Sequence, residues 1–390
     1  MRKVLENLSS LKLTVALLSL SMFLTLAGTL AQVNQGIWTV VDLYFRSIFV
    51  LVPLQIFMPE DIVRLRGAIP FPGGLTLGVL LFVNLTAAFV VRFTWSPKRI
   101  GVIISQAGVI LLLVGEVVTG MAAKEGNMTI DEGASANFVE DIRTSELAIV
   151  DSSDSTNDTV TVIPQGLMDS PGKMIEDSRI PFTIRINEWM PNSGFLGPMQ
   201  ATQSQLRRAD TGLGRNMAAI EIPAATGVDG ANVDVPSAYM TLSHQGKEIG
   251  TYLFSVGLTE LQSVKVGDKE YQVALRFERT YKPYTISLID FRHDKFVGTN
   301  VPRNFSSQVR IQDPARNTDR EALIYMNNPL RYAGDTLYQA SFKPGDKTTI
   351  LQVVTNPGWL LPYISCAMVT LGLLIHFGMR LAAPIRRNVA

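Results

Sequence analysis

IGVIISQAGVILLLVGEVVTGM, residues 100–121, contains one ionisable side chain, Glu116, in an otherwise apolar run. At 1.5 Å per residue, a helix of this length crosses a hydrocarbon core of about 30 Å. Directly after it, from residue 122, the composition turns polar and charged. Three further runs match it in length and polarity: Leu13–Ala31, Gly74–Val91 and Trp359–Met379. The reading is therefore a membrane α-helical bundle of four transmembrane helices. It carries a large mainly-β domain between the third and fourth, of β-sandwich or open-barrel type.

Basic residues set the expected sidedness. With four spans, Arg2, Lys3, Lys12, Arg92, Lys98, Arg99, Arg380, Arg386 and Arg387 all fall on one side. The first loop on the other side holds Arg46, Arg64 and Arg66, diluted by Asp42, Glu60 and Asp61. By the positive-inside rule both termini are cytoplasmic and the large domain is extracytoplasmic, in a bacterial-type cytoplasmic (inner) membrane. The apolar segment 37–58 carries Asp42, Arg46, Pro53 and Gln55. As a fifth span it would separate the two termini, so an interfacial or re-entrant helix is expected there. Trp38, Tyr44, Trp95, Trp359 and Tyr363 fall near the predicted interfaces, where amphipathic rings are favoured. Residues 1–31 also fit a cleaved signal peptide ending Thr29-Leu-Ala31, although the apolar region is long for one.

The expected domains are 1–121, 122–357 and 358–390. The middle one has 23 basic and 29 acidic side chains, and its apolar residues alternate in short runs. These include Glu146–Val150, Thr159–Ile163, Phe182–Ile186, Ala238–Leu242, Tyr271–Phe277, Tyr284–Ile289, Gln308–Ile311 and Thr348–Val354, punctuated by turns such as Val266-Gly-Asp and Lys343-Pro-Gly-Asp. Residues 131–158, with eight acids against Arg143, read as a solvated loop. Gly194–Gly214, with Met199, Arg207 and Arg208, also reads as loop around a short helix at Ser204–Arg208.

Catalytic signatures are absent from the sequence. Cys366 is the only cysteine, which excludes an internal disulfide or a C-x-x-C pair, and there are three histidines, His244, His293 and His376. No nucleophile-elbow, zinc-protease or phosphate-loop pattern occurs. Asp290, His293 and Ser306 or Ser307 form a hydrolytic triad on paper only, because nearness in sequence says little about triad geometry. A net charge of +1 gives no reason to expect nucleic acid.

Three patterns carry a resemblance. One is Leu8-Ser-Ser-Leu-Lys12 leading into a span that ends Ala27-Gly-Thr-Leu-Ala-Gln32. Another is FRHDKFVGTNVPRNFSS at 291–307. The most specific is IYMNNPLRYAGDTLYQASF at 324–342. Together with the order of spans, these resemble the ResB-like family of system II cytochrome c biogenesis, its CcsB-type subunit. The resemblance implies a non-catalytic subunit of a holocytochrome c synthetase complex. Such a subunit helps to export haem and presents it, with a CcsA-type multi-span partner, to apocytochrome c. Transient haem shared with the partner is the implied cofactor, and separate thiol-reducing proteins are implied companions. Without the resemblance, the residues fit a membrane-anchored binding or scaffolding module unrelated to haem.

His376, near the cytoplasmic end of the fourth span, is the candidate haem ligand, since neutral imidazole ligates haem iron and ionisable groups in spans tend to face cavities. An interfacial histidine bonded to a carbonyl or headgroup is the plainer alternative. Family members are similar in carrying a histidine early in the third span, where this chain has Gln106. Glu116 and Asn84 are candidates for hydrogen bonding between helices. In the outer domain the candidates are His293, Asn327, Asn328, Pro329, Tyr338 and Gln339. Asn328-Pro329 predicts a turn, and the aromatic residues around Gly334-Asp335 predict a hairpin, with packing at the membrane mouth or ligand contact as its role.

Overall fold

The computed structural model describes residues 2–389 apart from 59–61, 93–95, 155, 226–232, 259, 297, 299–301, 344 and 346. Glu60, Asp61 and Trp95, and part of the 291–307 and Lys343-Pro-Gly-Asp motifs, lie outside the described residues. The chain divides into two compact units. One comprises the residues up to Lys124 and from Thr355 onward, the other the β-rich stretch between.

The first unit is helical. Helix α1 (Arg2–Leu8) breaks at Ser9-Ser10 before α2 (Leu11–Gln35), and a short α3 (Ile37–Val40) follows. Then come α4 (Gly74–Arg92), α5 (Ile100–Ala122) and, after the β-rich stretch, α7 (Leu361–Val389). Four of these are long and apolar enough to cross a membrane: α2, α4, α5 and α7. Their outward faces expose Leu18, Met22, Leu26, Val90 and Leu374, which is the pattern of helices solvated by lipid. The protein is accordingly membrane-anchored.

Segment 37–58 departs from expectation, because it is not one helix. A single π turn, Val41–Phe45, follows α3, and the chain then extends as β1 (Phe49–Pro53). β1 pairs antiparallel with β2 (Ala68–Pro72), Phe49 opposite Pro72 and Pro53 opposite Ala68. The cause is local: Phe-Val-Leu-Val-Pro combines aromatic and β-branched residues with a helix-breaking proline. Val50 and Val52 are buried with Leu17, Leu24 and Ala27 of α2.

The second unit is mainly β, and it is both a sandwich and an open barrel. Its strands begin β3 (Lys124–Asp131), β4 (Ser135–Asp151), β5 (Thr159–Pro164), β6 (Met174–Ile175), β7 (Thr183–Met190), β8 (Ser193–Leu196) and β9 (Ala218–Glu221). They continue β10 (Ser237–His244), β11 (Lys247–Ser255), β12 (Gln262–Val266), β13 (Lys269–Lys295) and β14 (Pro302–Asp313). The last four are β15 (Thr318–Tyr325), β16 (Leu330–Tyr332), β17 (Asp335–Phe342) and β18 (Thr348–Thr355). A ten-stranded sheet runs β15-β14-β13-β4-β3-β18-β17-β16, with β12 on β13 and β5 on β4. Its ends approach one another through a bridge between Tyr325 and Asn328.

Strand β13 joins the two runs Tyr271–Phe277 and Tyr284–Ile289 into one strand of 27 residues. Its register against β4 shifts at Phe277/Arg279 and at Tyr281/Ile286, around Pro283. Such irregularities bend a strand and let it serve two layers. On one side of the bend, Leu147, Ile149, Val273 and Leu275 pack against Ile184, Ile186, Met240 and Phe254 of the four-stranded sheet β11-β10-β7-β6. Beyond it, Met128, Ile286, Leu288, Val309, Leu337 and Leu351 fill the interior of the curled sheet.

One expected loop is largely strand, and the other keeps its loop character. Most of 131–158 is strand, because its acids have cross-strand partners. Glu146 pairs with Arg276 and Glu140 with Arg279, each at 2.9 Å. Gly194–Gly214 is loop around a one-turn helix α6 (Gln203–Leu206), which starts from a capping box at Thr202, and β8 at its start pairs with β9 beyond its end.

Candidate functional site

In the helical unit the chemistry gathers where α5 meets α7. Gly101, Gly108 and Gly115 recur every seven residues along one buried stripe of α5. A Cβ at Gly101 would sit 2.5 Å from the Gly372 carbonyl oxygen and 2.6 Å from the His376 nitrogen. At Gly108 it would lie 2.9 Å from the Ser365 carbonyl oxygen, and at Gly115 3.0 Å from the Leu361 side chain. At Gly101 and Gly108 only hydrogen fits, so the two backbones touch there, the helices running antiparallel. The main chain of His376 is thereby held against Gly101, two residues beyond Arg99. Its ring is half-buried beside Phe377, centroids 5.4 Å apart.

The other two span candidates separate. Asn84 is fully buried; it accepts a hydrogen bond from Thr14 Oγ1 (2.6 Å) and donates to the carbonyl oxygens of Leu8 (2.5 Å) and Ser10 (3.3 Å). It thus ties α4 to the break between α1 and α2, bonding the Leu8 carbonyl at the end of α1 and adding to the Thr14 bond on the Ser10 carbonyl. Glu116 is exposed on α5 and makes no interhelical hydrogen bond among the described residues.

In the β unit, topology unites the 291–307 and 324–342 motifs. β13 and β14 pair with Phe291 opposite Ser307 and His293 opposite Phe305, so these four share a face. Phe342 of β17 closes over them, 4.2 Å from His293, 5.6 Å from Phe305 and 5.8 Å from Phe291, centroid to centroid. Beside this cluster the Ser307 hydroxyl donates to Gln339 Oε1 (2.6 Å). Gln339 Nε2 in turn donates to the Thr349 hydroxyl (2.8 Å). The serine is committed to an amide, and Asp290 is paired with Arg292 at 2.7 Å. The paper triad of Asp290, His293 and Ser307 is therefore not assembled. Ser306 pairs across the ladder with Arg292 and Tyr325.

The turn and hairpin are where the residues predict them, one position earlier. Asn327 takes a left-handed conformation (φ 63°), and the Asn328 amide donates to the Tyr325 carbonyl at 2.9 Å. Pro329 leads into β16. Between β16 and β17 the turn residues are Ala333 and Gly334 (φ 52° and 88°), the paired positive angles of a tight two-residue hairpin. Tyr338 points outward from β17, partly exposed.

A buried polar network went unread in the sequence. Asp335 accepts from the Tyr284 hydroxyl (2.7 Å) and pairs with Lys282 Nζ (3.0 Å). Tyr332 packs edge-on against Tyr284 at 5.2 Å and donates its hydroxyl to Asp313 Oδ2 (2.9 Å), which also takes Arg316 (2.8 Å). Burial, then the bond to Asp335, pushes the Tyr284 phenol well above its ordinary value. The Arg316 bond outweighs burial in holding the Asp313 carboxyl below the usual carboxylate value. The available signal was Lys282-Pro-Tyr284, an abrupt polar break between two apolar runs.

These features define a class: a helix-anchored β protein with satisfied polar networks, an aromatic-imidazole cluster, and no cluster of metal-ligating residues among those described. Residues 251–350, the region holding both motifs, match the ResB-like family. Protein NrfI of Wolinella succinogenes is 30% identical over 137 residues, 35% of this chain. The match spans 15% of that relative's length.

Proposed function

We propose that this protein is a membrane subunit of a cytochrome c assembly complex, working with a CcsA-type multi-span partner. The observation that carries the reading is the ResB-like match at 251–350 in a chain with four span-capable helices. Haem is the cargo, taken from the cytoplasmic side and presented outside to apocytochrome c, whose thiols are kept reduced by other proteins. The asymmetry of basic residues supports an extracytoplasmic β unit and cytoplasmic termini in the inner membrane. His376 is the only histidine within the four long helices, and a half-buried imidazole next to a backbone contact suits a transient ligand. Gln106 offers no such nitrogen, so a second imidazole ligand would come from the partner. The β unit serves as a non-catalytic surface.

Deleting the gene tests this: covalent haem in c-type cytochromes is lost while b-type haem proteins persist. Normal c-type cytochromes in that strain would sink the proposal. Co-purification with the partner, followed by haem spectra of wild type and His376→Ala, tests the ligand; an unchanged spectrum removes His376.

A further inference from the structure

The loop between α2 and α4 carries an unusual surface. β1 and β2 read Phe-Val-Leu-Val-Pro and Ala-Ile-Pro-Phe-Pro, ten residues with no polar side chain on either face. An antiparallel ribbon with one face in water alternates apolar with polar residues, and this one does not. Its inner face is accounted for: Val50 and Val52 are buried, and Phe71 lies 4.9 Å from Phe23 of α2. The outer face is not. Phe49 and Leu51 are 59% and 63% exposed, and Ile48 before β1 and Ile62 in the connecting loop are 70% and 68% exposed.

We infer that this hairpin is a lipid-anchoring element, its outer face set into the interfacial layer of the bilayer that the four long helices cross. Three observations point to lipid. First, the ribbon runs directly into a span at one end, β2 passing through Gly73 into α4, and is joined to α2 at the other by α3 and the π turn. The Gly73 amide donates to the Ile48 carbonyl (2.9 Å), and the π turn before β1 packs on the start of α4, where a Cβ at Gly74 would lie 2.5 Å from the Phe45 carbonyl oxygen. Second, its exposed backbone edge suits a layer poor in water, because Pro70 and Pro72 remove two N–H groups that lipid could not satisfy. Third, Arg64 and Arg66 are exposed in the loop that joins β1 to β2, and cationic side chains near an apolar ribbon suit phosphate headgroups beside acyl chains. Gln55 holds the connecting loop in shape, donating to the carbonyls of Met58 (2.8 Å) and Val63 (3.0 Å) and accepting from the Leu65 amide (2.7 Å).

The test is site-directed spin labelling of the full chain in phosphatidylethanolamine–phosphatidylglycerol vesicles. Cys366→Ala serves as background, with single cysteines at Phe49, Val50, Leu51, Val52 and Ile62. Collision with oxygen, which concentrates in lipid, is compared with collision with a water-soluble nickel chelate. The proposal expects oxygen to exceed nickel several-fold at 49, 51 and 62, with both low at 50 and 52. Nickel dominating at 49, 51 and 62 would place the face in water and overturn it. Both reagents low at those three sites would mean a protein cover, a second copy or a partner, and would overturn it equally. Ile62 lies outside both strands, so its label reports even where a strand variant misfolds.

Discussion

At the scale of single residues, the decisive ones are buried polar groups whose partners lie far away in sequence. Asp335 satisfies Tyr284 and Lys282, and both members of its ion pair are nearly inaccessible. Removing one partner of such a pair strands a buried charge, at roughly 3–5 kcal/mol. Asp335→Ala should therefore lower stability by about that amount in thermal unfolding of the full chain in detergent, and Lys282→Met with Asp335→Leu should recover much of it. The same network sets pH limits. Asp313 titrates below its unfolded value, so its contribution is complete above the ordinary carboxylate range and is lost as pH falls through it. Tyr284 titrates above its unfolded value, so its contribution is complete below the ordinary tyrosine range and is lost as pH rises. Melting temperatures across pH should show both limbs, with Asp313→Asn flattening the acid one and Tyr284→Phe the alkaline one. Neither partner set was legible in the sequence: Asp335 is 51 residues from Tyr284, and such a pairing exists only once strands have a register.

Elements were far more legible. Hydrophobic length is a property of consecutive residues, so the spans stand close to where composition places them, and alternation located the strands. What composition could not show is which helix face meets which. The stripe Gly101, Gly108 and Gly115 acquires meaning only when α7 lies across it. Because backbone atoms line that contact, Gly108→Ile cannot be absorbed by moving a side chain, and overpacking of this kind costs about 1–3 kcal/mol. Gly108→Ile should loosen the α5–α7 pair, seen as easier proteolysis near residues 100 and 372. Gly78→Ala, where a Cβ meets nothing within 4 Å, should leave the pattern unchanged. The misread segment 37–58 belongs at this scale too. Within it the apolar run Ile48–Val52 is too short to distinguish helix from strand, and the pairing of β1 with β2 decided it.

For the whole molecule, the prediction concerns sidedness. Alkaline phosphatase, active only where disulfides form, should be active when inserted at Gln245-Gly246, the turn between β10 and β11, and inactive when fused after residue 390. The reverse pattern would invert the proposed orientation and with it the direction of haem transfer. At this scale the β-rich unit also shows why the choice between sandwich and barrel could not be made from strand counting. β4 and β13 are long enough, and bent enough, to belong to both.

Chain-local chemistry was sufficient for four spans, a β-rich insert, the hairpin after Tyr332 and the ResB-like motifs, because hydrophobic length, alternation and turn residues act over a few neighbouring positions. The tertiary structure alone decided that Ser307 bonds Gln339 rather than a catalytic base, that Glu140 and Glu146 are strand partners of arginines, and that His376 rests on Gly101. Each of those outcomes depends on the register and packing of elements widely separated in the chain. The energies involved are those of burial and desolvation, and they take effect only when the elements meet.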